Sequence, residues 1–245
     1  MGEHVDKAAG GTLSAELWSG IEDIYAAILG HPFIAGLTDG SLGPEAFRFY
    51  VIQDAHYLRE YARALSVCAA KAPAEPEIAM FDRHAAGAIE VERSLHESFF
   101  RELGVTEEEL ASTPMAPTTL AYTSYLLSVA YGGSFSEALG AVLPCYWIYR
   151  EVGEALLERG SPDPLYRRWI ETYGGEEFGE IVRAVLEVTD RLGPELSEVD
   201  RRRMAQHFTT TSRYEWMFWD AGWRREAWPI APAGFRERSR GTAAV

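Results

Sequence analysis

Cysteine is scarce: two in 245 residues, Cys68 and Cys145, on separate predicted helices and without C-x-x-C spacing. Neither a disulfide framework nor a zinc site is indicated, and both thiols are expected to be reduced. No apolar run is long enough to span a bilayer, and Met1 to Gly11 lacks the apolar centre of a signal peptide, so the chain reads as cytoplasmic with no membrane partner. Basic residues are outnumbered, 23 against 37 acidic, and the net charge of −14 repels nucleic acid and suits a small-molecule substrate. The run Arg201-Arg202-Arg203 is too short for a recognition face. Metal and nucleotide motifs are missing as well. Di-iron helix bundles use Glu-x-x-His pairs. The nearest approach here, Glu92 with His96, is one residue too wide, so no metal is expected. Gly132-Gly133 and Gly174-Gly175 fit neither phosphate-loop nor dinucleotide spacing and read as helix breaks, so no cofactor is expected.

No stretch alternates like a strand, and no repeat appears; what fills the chain is helical period. Leu13, Leu17, Ile21, Ile24 and Ile28 predict a first helix ended by His31-Pro32. A second carries Phe47, Tyr50, Val51, Asp54, Tyr57, Leu58, Tyr61 and Leu65 inward, and a third runs from about Glu75 to Leu103, with Gly104 as its stop. Thr106-x-x-Glu109 and Ser197-x-x-Asp200 read as capping boxes. Tyr122, Leu126 and Val129 mark one further helix and Ala138 to Leu156 the next. Leu165, Trp169 and Tyr173 share a face, as do Phe178, Ile181, Val185, Val188 and Leu192. Met204, Phe208, Thr211, Glu215, Phe218 and Gly222 form the last stripe. The expected fold class is all-α, one multi-helical bundle over residues 12–228 between flexible tails, 1–11 and 229–245.

Within Leu143-Pro144-Cys145-Tyr146-Trp147-Ile148-Tyr149, the helical period points Cys145 inward with Tyr149 one turn away. A buried Cys is commonly just a small hydrophobe, but Pro144 removes a helix hydrogen bond beside this one. Two carboxylates, Asp54 and Glu215, fall where the period calls for an apolar residue. Each has to be paired, hydrogen-bonded, protonated or open to a pocket. A structural ion pair or a bond to a tyrosine would meet that need. So would a site in which a carboxyl of raised pKa donates a proton to a nitrogen heterocycle stacked between aromatic rings.

Gln53-Asp54-Ala55-His56-Tyr57-Leu58, Ala121-Tyr122-Thr123-Ser124-Tyr125, the Cys145 stretch, Tyr173-Gly174 and Tyr214-Glu215-Trp216-Met217-Phe218-Trp219-Asp220 together resemble the TenA / thiaminase II family over roughly residues 13–226. The resemblance implies a haem-oxygenase-like helical fold without haem, usually a homotetramer. The implied enzyme is a hydrolase, an aminopyrimidine aminohydrolase converting 4-amino-5-aminomethyl-2-methylpyrimidine to its hydroxymethyl counterpart in thiamine salvage, with thiamine cleavage as a side reaction. It further implies Cys145 as nucleophile, Glu215 as the acid on a ring nitrogen and Asp54 as the carboxylate facing the amino edge. Tyr57, Tyr122, Tyr149, Tyr173 and Phe218 match the family's pocket aromatics, and Cys145 places the chain in the cysteine branch. His56 and the tail after Pro229 depart from the pattern. Two other readings remain open: a pyrimidine- or thiamine-binding regulatory protein without turnover, and a haem or di-iron oxygenase on the same bundle.

Overall fold

A computed structural model describes residues 11–230, apart from the side chains of 91–97, so the expected tails lie almost wholly outside the described residues. All regular structure among the described residues is helical: α1 (Leu13–Ser19), α2 (Glu22–Leu29), α3 (Pro32–Asp39), α4 (Pro44–Lys71), α5 (Glu75–Leu103), α6 (Glu107–Ser112), α7 (Pro117–Gly132), α8 (Phe135–Leu157), α9 (Pro164–Gly174), α10 (Glu176–Leu192) and α11 (Glu198–Arg224), with a 3-10 turn at Gly193–Glu195. No described helix is long and apolar enough to cross a membrane.

The expected first helix is two. Gly20 ends α1, its N–H turned back to Leu17 and Trp18 carbonyls, and the chain restarts at Glu22, although the apolar stripe continues across the break. Pro32 opens a helix rather than ending one. At the first helical position its missing N–H costs nothing, and His31 caps that end, its Nδ1 accepting from the Phe33 N–H at 3.1 Å. Thr106 and Ser197 accept from the N–H groups of Glu109 and Asp200. The fully reciprocal box forms at Ser134 and Glu137, at the start of α8. Gly104 ends α5 at φ 65°, a left-handed conformation that glycine adopts without a Cβ penalty.

The bundle is built around α8, which packs against α4, α7, α9, α10 and α11. Its buried residues occupy nearly every face, as expected of a helix with no solvent side. The helix runs through Pro144 uninterrupted. Two glycines let its backbone approach neighbours: a Cβ on Gly140 would lie 2.6 Å from the Met204 carbonyl, and one on Gly174 of α9 would lie 2.7 Å from the Gly153 carbonyl. Those contacts bring α8 close to α11 and α9, the helices that carry Glu215 and Tyr173.

Candidate active site

Helices α4, α5, α8, α9 and α10 enclose a cavity of about 190 Å³. Four of the residues expected at a site, Asp54, Cys145, Tyr149 and Tyr173, are in its wall. The other four are not: Tyr57, Tyr122, Glu215 and Phe218 are each buried, in a layer behind that wall. Within this layer the Tyr57 ring lies 4.9 Å from Tyr122 and 5.6 Å from Phe218. Tyr122 donates its hydroxyl to Glu215 Oε1 at 2.6 Å.

Glu215 is 1% exposed, and its pKa is raised from 4.5 to about 8. Burial is the main cause; the Tyr122 hydroxyl opposes it and the Asp54 charge adds to it. The carboxyl therefore carries its proton at neutral pH, with Oε1 already bonded to Tyr122. Cys145 is pushed well above the ordinary thiol value, first by burial and then by the Glu215 carboxylate. The hydroxyls of Tyr57 and Tyr61 beside the sulfur favour the thiolate, while Asp54 disfavours it. By surface the residue is half-buried, but that exposure is to the cavity rather than to bulk water. Tyr61 is anchored by its 2.9 Å bond to the Val142 carbonyl. The Tyr57 hydroxyl meets no partner at hydrogen-bond geometry, so its effect on the sulfur is that of a nearby dipole.

Aromatic contacts fix the rest of the wall. Tyr149 shares a 3.2 Å hydroxyl contact with Tyr50, which also accepts from Trp169 Nε1 at 3.3 Å. The Tyr173 ring sits 4.9 Å from Tyr149, with Phe178 edge-on at 5.3 Å. On the α5 side His84 Nδ1 meets the Tyr146 hydroxyl at 3.0 Å. Burial, then the Arg83 charge, lower the His84 pKa to about 4, so the imidazole is neutral.

Sequence reasoning passed over Tyr61, Tyr146, His84, Arg83 and Phe178 as site residues. Tyr61 was already on the Asp54 stripe, and His84 is three residues after Phe81 and four before Ala88, so the same period places it inward. Nothing in the pattern marks Arg83. The neighbours of Asp54 have a different task. Gln53 clamps the segment before α7 with both amide atoms, Nε2 to the Pro114 carbonyl at 3.1 Å and Oε1 from the Ala116 N–H at 2.8 Å. His56 Nε2 meets the Thr113 carbonyl at 2.9 Å, so its departure from the motif concerns this segment rather than the cavity. No group of three or more His, Cys, Asp or Glu among the described residues could hold a metal ion.

The family described as TENA/THI-4/PQQC matches residues 18–225. An aminopyrimidine aminohydrolase of Bacillus subtilis (strain 168) is 39% identical over 198 residues, 81% of this chain and 84% of that one. Among solved structures, a TenA homologue from P. horikoshii OT3 superimposes with a TM-score of 0.81 at 31% identity, covering 87% of this chain and 99% of that one. A domain of unknown function with a heme oxygenase-like fold, from Shewanella denitrificans OS217, reaches 0.69 at 16% identity over 86% of this chain and 92% of its own, a likeness of fold alone.

Proposed function

The chain belongs to the TENA/THI-4/PQQC family, and from that premise we propose that it is an aminopyrimidine aminohydrolase of the thiaminase II type, working in thiamine salvage. Its substrate is 4-amino-5-aminomethyl-2-methylpyrimidine, with thiamine cleaved as a side reaction. The observation that carries this reading is the placing of Cys145 and Asp54 in one cavity wall with a proton-bearing Glu215 directly behind.

A neutral pyrimidine resists nucleophiles until a ring nitrogen is protonated or strongly hydrogen-bonded. Glu215 supplies that proton, and Cys145 adds through sulfur to a ring carbon. Electron density gained by the ring expels the amine from the 5-methylene, water takes its place, and sulfur departs. The sum is R–CH2–NH2 plus water giving R–CH2–OH plus ammonia. Burial holds the thiol neutral, so attack is coupled to loss of its proton to Asp54, the carboxylate near the sulfur, while the Tyr57 and Tyr61 hydroxyls favour the thiolate. The ring nitrogen reaches Glu215 when the pyrimidine enters the layer closed by Tyr57, Tyr122 and Phe218, whose rings then stack on it. Asp54 faces the amino edge.

Release of ammonia from a panel of aminopyrimidines, and of the azole from thiamine, tests the reading. Tight pyrimidine binding without either product would return the chain to the class of binding or regulatory proteins. We place the enzyme in the cytoplasm as a homotetramer. Trp223, Trp228 and Met217 are exposed near the end of the described chain, apolar surface that a partner subunit would cover. A monomer mass by light scattering at micromolar concentration would refute that assembly.

A further inference from the structure

The cavity extends along α4 well beyond Asp54. Its α4 wall runs from Asp54 to Leu65, about 16 Å of helix axis and more than one six-membered ring needs. Helices α4 and α5 are joined only through residues 72–74 and pack side by side, an antiparallel pair, so Arg83 and His84 stand opposite the Tyr61–Leu65 end. The bond from His84 to Tyr146, whose ring packs 5.7 Å from Tyr61, agrees with that placement.

The two ends differ in charge. Asp54 is the acidic residue of the wall, at one end of the α4 stretch, and Arg83 the basic one toward the other, with Cys145 between them beside Tyr61. Where Arg48, Arg150, Arg168 and Arg191 each pair with a glutamate, Arg83 makes no hydrogen bond or ion pair among the described residues. His84 has Nδ1 engaged by Tyr146, and Nε2 makes no hydrogen bond among the described residues. Between the ends the lining is apolar, with Leu58, Phe178 and Ile181. Gly87 keeps the α5 wall low, since a Cβ there would meet nothing within 4 Å.

We propose that Arg83 and His84 form a subsite for an anionic leaving group, so that the enzyme takes aminopyrimidines whose 5-methylene carries an amine or azolium ending in a carboxylate or phosphate. This rests on the aminopyrimidine reading of the Cys145 site. The methylene–nitrogen bond breaks with its electron pair going to the departing nitrogen, and water oxygen bonds to the methylene. The proton of water goes to the released amine, or to solvent when an azole departs. The guanidinium of Arg83 holds the anionic tail, and the apolar stretch holds what lies between.

Two matched pairs of probes test this: thiamine against thiamine monophosphate, and the N-propyl against the N-carboxymethyl derivative of 4-amino-5-aminomethyl-2-methylpyrimidine. Because Arg83 is exposed, the expected preference for the anionic member is modest, roughly three- to tenfold in kcat/KM. It is carried by KM, falls with salt, and collapses toward one in Arg83→Gln. A preference confined to one pair identifies the anion. Equal kcat/KM within both pairs, or a preference that survives Arg83→Gln, overturns the subsite. Calorimetric affinities for the thiamine pair, measured on Cys145→Ser protein with and without Arg83→Gln, give the same ratio without turnover. Failure of the hydrolase reading is therefore separable: no product from any probe would end that reading, while the affinity ratio would still decide the subsite.

Discussion

Replacing Glu215 by Gln should make the protein sturdier in alkali and much slower as a catalyst. The folded-state pKa of about 8 against the usual 4.5 means that the native state holds a proton the unfolded chain releases. Stability from this group is complete below the unfolded value and is lost as pH rises through the folded one. Between pH 6 and 9 wild type should lose about 2.5 kcal/mol from this source, and Gln, a neutral isostere, should lose none of it. For a chain of this size that separates the two melting temperatures by several degrees more at pH 9 than at pH 6. Turnover should move the other way. Glutamine can hydrogen-bond a ring nitrogen but cannot transfer a proton, and general acid catalysis is worth about 10²- to 10⁴-fold. Wild-type kcat/KM should fall above pH 8, where Glu215 ionises in the free enzyme. Calorimetric melting at both pH values and ammonia release on the same preparation decide the matter. Intact turnover removes the acid role, and a melting difference independent of pH removes the raised pKa.

Cys145→Ser should keep the fold and pyrimidine affinity while losing most turnover, whereas Cys68→Ser should retain activity; near-normal ammonia release from the former would end the nucleophile assignment. Cys68 is fully buried whereas Cys145 opens to the cavity, so mass spectrometry after iodoacetamide treatment of native protein should find Cys145 modified first. Gln53→Leu strands the Pro114 carbonyl and Ala116 N–H, and should cost about 1 to 3 kcal/mol in denaturant unfolding. Gly153→Ala drives a methyl into the backbone of Gly174, and should destabilise by about 1 to 3 kcal/mol or more; an unchanged midpoint would refute the close approach of α8 and α9.

Legibility followed period. The stripes of α4, α8 and α11 put Asp54, Cys145 and Glu215 inward before any coordinates, because a 3.6-residue repeat fixes the face of a side chain. Depth is another matter: period cannot say which of two inward residues meets a cavity and which lies behind it. Asp54, Tyr149 and Tyr173 therefore parted from Glu215, Tyr57, Tyr122 and Phe218 only in three dimensions. The break at Gly20 was hidden because Ile21 and Ile24 keep the stripe in phase across it. Pro32 misled because the same residue that ends one helix is favoured at the first position of the next. Arg83 shows no signal in sequence, since an exposed arginine on a helix is ordinary until the wall beside it is known.

The contact of Gly153 with Gly174 also sets what can be altered in the cavity. Tyr173 precedes Gly174, so its ring stands on a helix pressed main chain to main chain against α8, and that wall acts as a fixed stop. The facing wall is different: Gly87 has open space around it, and side chains of graded size there would shorten the cavity from the α5 side without disturbing Cys145. A search for variants with altered substrate length should therefore begin on α5, treating α9 as the jaw of the vice that does not move.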